Sequence, residues 1–232
     1  EAYLKTREVR MNTISFYMRN LRAVYNRAVE KGLTTQQYPF RHVYTGVDKT
    51  VKRAIPIKAI KALKDLDLAT NLTLDFARDM FMFSFYTRGM SFVDMAYLKK
   101  TDLQNGMLTY RRRKTGQERS IKWEKCMAEI IAKYPENKTG FLLPIIKEQG
   151  DERRQYDNAL HLVNYRLKEL STMLKLQRPL TMYVARHSWA SAAKAKNVPL
   201  SVISEGMGHD SETTTQIYLA SLETSVVDKA NK

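Results

Sequence analysis

In TMYVARHSWAS, the side chains of Tyr183, Arg186 and His187 recur at i, i+3 and i+4, so on a helix they share one face. The guanidinium is a planar fork of donors. Beside two further hydrogen-bonding groups it suits an anionic tetrahedral or pentacoordinate phosphorus, because the fork holds two phosphoryl oxygens at once. Taken alone, such an Arg-His pair is more often a salt-bridged or core-edge feature. Downstream, in EGMGHDSETTTQIYLA, Gly206 and Gly208 break the chain and His209 sits at the break. Asp210 or Ser211 can cap the helix that follows, and Tyr218 lies on that helix. In isolation His209 is a helix-end hydrogen-bonder, and Tyr218, one of 13 tyrosines, is a core residue. The set is what points to chemistry. A third piece is RRRKTGQER, a basic hairpin with Lys114 beside its turn. Residues 99–125 hold nine Lys+Arg against three acids, a local +6. A hairpin tip of that charge fits in or along a DNA groove, or serves as a charged edge strand that resists aggregation.

These residues need elements to position them. Ile14, Tyr17, Met18, Leu21, Val24, Tyr25 and Ala28 make an amphipathic stripe from Thr13 to Lys31, ended by Gly32. Residues 33–50, with Pro39, Gly46 and a Thr/Gln cluster, read as a linker. Further helices are expected from about Pro56-Ile57 and from Leu72 to Phe85, where Leu74, Ala77, Phe81 and Phe85 mark a buried stripe. Around Asn105-Gly106 the pattern changes to short alternating runs, Gly106 to Arg113 and Arg119 to Trp123, separated by Thr115-Gly116. They read as strands of a small antiparallel sheet. Helical signal then returns at Leu160 to Leu174, Met182 to Lys196, Leu200 to Glu205 and Glu212 to Leu222. The expected class is mainly α with a small antiparallel β-sheet. Residues 1–46 form a helical piece with its linker, and residues 47–232 a larger domain.

Across 232 residues, 39 Lys+Arg against 24 Asp+Glu give a net charge of +15, which calls for a polyanionic partner. The first 53 residues alone carry eleven basic and four acidic residues. Their charge reads as a face against DNA phosphates in preference to a merely solvated one. A 44% hydrophobic composition can bury a sizeable core and excludes a disordered basic tail. One cysteine, Cys126, makes no internal disulfide, and no Cys/His cluster has zinc spacing, so a reducing compartment and no structural metal are expected. The longest strongly apolar stretches, such as Met80 to Phe85, are far below the roughly 20 residues that span a bilayer, and no signal peptide opens the chain. A soluble intracellular protein follows as the expectation. Glu1 falls within a charged, helix-like run, as it would if a longer protein's N-terminal part were cut away.

From about Arg53 to Asp228 the arrangement resembles the tyrosine recombinase (phage integrase) family, and Thr13 to Lys31 resembles the last helices of that family's core-binding domain. Three ordered motifs carry the likeness: Met207-Gly208-His209 followed nine residues later by Tyr218, Tyr183-x-x-Arg186-His187, and the hairpin lysine Lys114. The wording TRGMSFVDMAYL and ARHSWAS is similar to integrases of bacterial conjugative transposons. Two positions depart from the pattern. Ser91 occupies the slot of the family's first catalytic arginine, with Asp94 in the place of its glutamate, and Arg88, about one helical turn earlier, is the expected substitute. Tyr183 replaces the usual histidine. A phenol donates or accepts a hydrogen bond but, with an intrinsic pKa of about 10, is a poor base at neutral pH.

The resemblance implies a tyrosine recombinase catalytic domain preceded by part of a helical core-binding domain, acting as a site-specific DNA recombinase or integrase in mobile-element integration or excision. Tyr218 would attack a phosphodiester to give a 3′-phosphotyrosyl link and a 5′-hydroxyl. Arg186 and Arg88 would neutralise the non-bridging oxygens, His209 would hydrogen-bond to the same phosphate, and Lys114 would protonate the leaving 5′-oxygen. Tyr183 completes the catalytic set. Arg111, Arg112, Arg113, Arg119, Lys99, Lys100 and His187 would contact DNA. No cofactor, metal or ATP is implied. The implied partners are double-stranded DNA, both element ends and target, three further copies of the chain in a tetramer on DNA, and DNA-bending accessory proteins, with a monomer in solution. A bacterial cytoplasmic protein at the nucleoid is the corresponding location. The tail SLETSVVDKANK, with Leu222, Val226 and Val227, resembles the family's helix that docks on a neighbouring protomer, though packing within its own chain fits equally. A catalytically silent DNA-binding protein of the same fold and a type IB topoisomerase are the competing readings. A metal-dependent nuclease or DDE transposase would draw on Asp75 and Asp79 as ligands, but these read better as a solvated helix face with Arg78 between them.

Overall fold

A computed structural model of the chain describes residues 1–48, 53–209 and 211–219, with the side chains of Ile217 and Tyr218 outside the described set. It comprises two compact units, Glu1–Val51 and Lys52–Lys232.

In the first unit, α1 (Ala2–Thr6) precedes α2 (Met11–Glu30), and the chain from Gly32 to Asp48 is irregular. The irregular segment is tied to α2 by polar contacts. Ser15 Oγ donates to the Gly46 carbonyl at 2.6 Å, Asn12 exchanges hydrogen bonds with the backbone of Asp48, and the Tyr25 hydroxyl bridges Thr35 and Gln37. Of the predicted stripe, Ile14 and Met18 are buried, whereas Tyr17, Leu21 and Val24 stay exposed.

The second unit is built around α4 (Leu72–Tyr86), which begins at Asn71, whose side chain caps the Leu74 N–H. Ala77, Met80, Phe81, Met82, Phe83 and Ser84 are all buried. A helix buried around its whole circumference is a central helix. Against it pack α3 (Ile57–Lys64), α6 (Lys125–Ala132), α7 (Glu152–Met173) and α8 (Met182–Ala195). A short α5 (Phe92–Ala96) follows α4, starting at Ser91, whose hydroxyl accepts from the Asp94 N–H. The sheet has order β1-β2-β3, antiparallel throughout, from β1 (Leu103–Gln104), β2 (Met107–Arg111) and β3 (Glu118–Lys122). The register pairs Leu108 with Ile121 and Tyr110 with Arg119 on the inward face, leaving Met107, Thr109, Arg111, Glu118, Ser120 and Lys122 outward. A satellite core of Ala190, Ile203, Met207 and Leu219, with Trp189 packed on it, joins α8 to α9 (Leu200–Met207) and α10 (Glu212–Leu219).

The mainly α class with a small antiparallel sheet is what the chain adopts. Three differences from the sequence expectation are informative. α7 starts eight residues before Leu160, because Asp151 caps the Arg154 N–H and opens the helix ahead of its apolar stripe. Gly206 lies inside α9 and does not break it. A Cβ there would stand 2.8 Å from the Trp189 ring, so the glycine answers to packing. Asp75 and Asp79 are not a solvated face. Asp79 is buried, and Arg78, Lys133 and the Tyr134 hydroxyl saturate the two carboxylates, with Lys133 Nζ 2.5 Å from each and the hydroxyl 2.8 Å from Asp79. Burial, reinforced by Asp79, pushes the Tyr134 phenol up. No helix among the described residues is long and apolar enough to cross a membrane. The expected tail residues 220–232 lie outside the described residues.

Candidate active site

A cleft of about 700 Å³ opens where five elements converge: the turn before α5, the β2–β3 hairpin, α7 at Leu160 and Asn164, the start of α8, and the junction between α9 and α10. Gly89, Ser91, Arg112, Lys114, Tyr183, Arg186, Gly208 and His209 are among its lining.

Arg186 sits at its floor, 9% exposed, on the second turn of α8. Nη1 donates to the Gly89 carbonyl at 3.0 Å, and Nη2 to the Met207 carbonyl at 2.6 Å. Backbone carbonyls orient the guanidinium without neutralising it, which a buried cation tolerates only when its donors are satisfied. Gly89 is needed here twice over: its φ is +76°, and a Cβ would lie 2.6 Å from the Arg186 Cα. Beside Arg186, His209 Nε2 is 2.9 Å from Nη2, and His209 Nδ1 is 2.7 Å from the Thr215 hydroxyl on α10.

A second guanidinium arrives from the hairpin. Beyond β2 the inward alternation of Leu108 and Tyr110 continues to Arg112, whose Nη1 donates to the Gly208 carbonyl. Arg186 and Arg112 thus bond to consecutive carbonyls, Met207 and Gly208. Gly208 ends α9 in a left-handed conformation, with φ 69° and ψ 44°. A Cβ on it would stand 2.7 Å from Arg119 Nε and 3.0 Å from Arg112 Nη1. Arg119, opposite Tyr110, reaches Gln117 through Nη2 at 2.9 Å, and its buried Nε has no hydrogen-bond partner among the described residues.

The hairpin's shoulder is fixed from below. Asp94, 4% exposed, accepts from the Arg113 N–H at 2.8 Å and from the Ser91 hydroxyl at 2.6 Å. Arg113 lays its guanidinium 3.8 Å from the centre of the Tyr97 ring. Lys114 follows at once, exposed and lining the cleft. Ser91 is therefore engaged with Asp94 at the point where the resemblance called for an arginine.

Tyr183, 46% exposed, lines the cleft, edge-on to His187 at 4.6 Å between centroids, with Arg53 5.9 Å above its ring. Arg88 has φ +61°, and its Cδ lies 3.6 Å from where a Cβ on Gly206 would stand; it is not among the cleft lining. Arg111 pairs outward with Glu118 at 3.5 Å, and Lys100 with Glu136 at 2.7 Å. Lys99 is exposed. The backbone of Tyr218 lies in α10, one turn beyond Thr215; its side chain, like Asp210, lies outside the described residues. Arg112, expected as a DNA contact, also lines the cleft, and Thr215, bonded to His209, is a residue that the sequence did not single out. The β2 alternation was the signal for Arg112. For Thr215, spacing from Tyr218 carried no distinguishing sign.

The description of the phage integrase family matches residues 60–224, and that of the phage integrase SAM-like domain residues 1–43. The chain belongs to the phage integrase family. It is similar to the tyrosine recombinase XerD of Halalkalibacterium halodurans, 26% identical over 96% of this chain and 81% of the relative. It is also similar to the tyrosine recombinase XerA of Thermococcus kodakarensis, 29% identical over 57% of this chain and 47% of the relative, so the match spans about half of that protein. In fold it is similar to XerH recombinase bound to its palindromic difH substrate (TM-score 0.72, 14% identity, 97% of this chain and 68% of that one). A lambda integrase dimer on a core site gives a TM-score of 0.67 at 14% identity over 94% and 76%. The Tn1549 transposon integrase with a circular intermediate DNA gives 0.62 at 14% over 94% and 77%.

Proposed function

We propose that this integrase-family chain cuts and rejoins DNA strands through a covalent tyrosyl intermediate, and that it acts in integration or excision of a mobile element. The observation that carries this reading is the pair of guanidiniums, Arg186 and Arg112, bonded to consecutive carbonyls beside His209 and below the lysine hairpin. A phosphodiester seated between them would have its non-bridging oxygens bound by two rigid forks, and charge developing in the transition state would be stabilised there. The Tyr218 hydroxyl, delivered by α10, attacks phosphorus; the 3′-phosphotyrosyl ester forms as the bond to the 5′-oxygen breaks, and Lys114 supplies the proton that oxygen takes. Attack by a second strand's 5′-hydroxyl on the ester reverses the steps and returns the tyrosine. Bond energy stays in the ester, so neither ATP nor metal enters the balance.

Arg112 takes the part that the sequence alone offered to Arg88. Tyr183 donates or accepts at the cleft mouth, and Arg111, Arg113, Arg119, Lys99, Lys100 and His187 supply contacts to the duplex. One protomer cuts one strand, so exchange between two duplexes uses four copies, gathered on DNA from monomers and assisted by DNA-bending proteins at the bacterial nucleoid. Support for a mobile-element role comes from similarity to a transposon integrase described with circular intermediate DNA.

The test incubates wild type, Tyr218→Phe, Arg112→Ala and Arg88→Ala with sheared genomic DNA of the source in EDTA, then separates protein from DNA in SDS. DNA should remain attached to wild type, be absent from Tyr218→Phe, fall by roughly 10²-fold or more with Arg112→Ala, and fall far less with Arg88→Ala. A wild type that binds DNA but yields no SDS-resistant adduct would favour the silent architectural reading.

A further inference from the structure

We propose that Thr215 is a positioning residue that holds His209 as a proton acceptor toward the cleft and ties the helix bearing Tyr218 to it. The inference rests on the proposed phosphoryl-transfer reading for its consequence, but on hydrogen-bond chemistry for its substance. Arginine has donors and no acceptor. His209 Nε2, 2.9 Å from Arg186 Nη2, must therefore offer a lone pair. A neutral imidazole with a bare Nε2 carries its proton on Nδ1, and Nδ1 lies 2.7 Å from the Thr215 oxygen. The threonine thus accepts from Nδ1–H and fixes the tautomer, since the bond at one ring nitrogen decides the state of the other. Thr215 is fully buried, so water does not replace it as acceptor.

The same bond sets the position of α10. Residue 218 is one helical turn beyond Thr215, and the next residue, Leu219, 1% exposed, is fixed in the satellite core with Ile203 and Met207. A polar tie on one side and an apolar anchor on the other fix the backbone at 218 in rotation and in height. When a phosphate draws that Arg186 N–H onto its own oxygen, the Nε2 lone pair is released and His209 is set to take the proton of the attacking hydroxyl as the O–P bond forms. Lys114 gives up the separate proton required by the leaving oxygen.

The test uses the whole chain labelled with 15N-histidine, whose four histidines are assigned with a His209→Asn variant, and compares wild type with Thr215→Val and Thr215→Ser. Two-bond 15N–1H spectra at neutral pH should show His209 protonated at Nδ1 in wild type and in Thr215→Ser, and as a mixture of tautomers in Thr215→Val. On a nicked DNA substrate that traps the covalent product, Thr215→Val should cleave about fivefold more slowly, as loss of one net hydrogen bond of about 1 kcal/mol implies. DNA affinity should change less than twofold, and serine should restore the rate. A wild-type His209 protonated at Nε2, or an unchanged tautomer and rate in Thr215→Val, overturns the proposal. If the spectra change as expected while wild type makes no covalent product, the positioning role stands and the strand-transfer reading falls.

Discussion

Three glycines share a left-handed backbone but not their surroundings, and alanine at each isolates what the surroundings do. Gly116, at the hairpin tip, has φ +69° and open space where a Cβ would go. Gly208 also has φ +69°, but a Cβ meets Arg119 Nε at 2.7 Å and Arg112 Nη1 at 3.0 Å. Gly89, at φ +76°, meets the Arg186 Cα at 2.6 Å. All three alanines incur the left-handed backbone cost of roughly 1–2 kcal/mol. At Gly116 that is the whole effect. At Gly208 the obstructing atoms are the ends of flexible side chains that swing aside, so stability falls by only about 1 kcal/mol more for the lost Arg112 hydrogen bond. The cleft, however, loses a guanidinium, and removing one donor of developing charge lowers a rate roughly 10²–10³-fold. At Gly89 the obstruction is the backbone of α8, which must retreat by about 1 Å to reach an ordinary carbon separation of about 3.5 Å. That places Gly89→Ala in the rare class costing above about 4 kcal/mol. Urea unfolding followed by Trp123 and Trp189 fluorescence, both in the second unit, gives the stability series. Covalent trapping on nicked DNA gives the rates. The reasoning is refuted if Gly208→Ala cleaves as fast as Gly116→Ala, or is as unstable as Gly89→Ala.

The buried Asp94 carboxylate gives a second contrast. Asp94→Ala strands the Arg113 N–H and the Ser91 hydroxyl and should cost about 2–4 kcal/mol, with slower cleavage through a loosened hairpin. Asp94→Asn retains an acceptor for Arg113 and should cost about 1 kcal/mol in the same unfolding assay. Lys114→Ala should cleave roughly 10²–10⁴-fold more slowly on ordinary DNA. It should recover on a substrate with sulfur at the 5′-bridging position, because a thiolate leaves without a proton; no recovery would remove Lys114 from the acid role. Burial, with Asp94 adding to it, pushes the Tyr110 phenol up to about 12. Its contribution to stability is present in full below about pH 10, the unfolded value, and is lost as pH rises through 12. Tyr110→Phe should therefore flatten the loss of stability measured between pH 10 and 12.

Legibility differed by element, for identifiable reasons. α4 and α8 could be read from apolar spacing because both are long and pack on several sides. α5 spans a single turn, too short for periodicity, and its start was written instead in the Ser91-x-x-Asp94 cap. The opening of α7 has few apolar residues, and only Asp151 marks it. In the cleft, residue type and order located Arg186, His209 and Lys114, since the chemistry demands those types. They did not single out Arg112 as a residue of the cleft lining. Only the parity of β2 carried its inward direction. Tyr17, Leu21 and Val24 follow helical spacing but remain exposed, because periodicity reveals which residues share a face and not what covers it.

Arg112 and Lys114 stand two residues apart on one hairpin, whereas Arg186 and His209 belong to the helical body. In the proposed mechanism, swinging that single arm away withdraws one of the two clamps on the phosphate and the proton donor together, and bringing it back restores both. Such a molecule has no half-armed condition in which a strand is gripped for attack yet lacks its means of release.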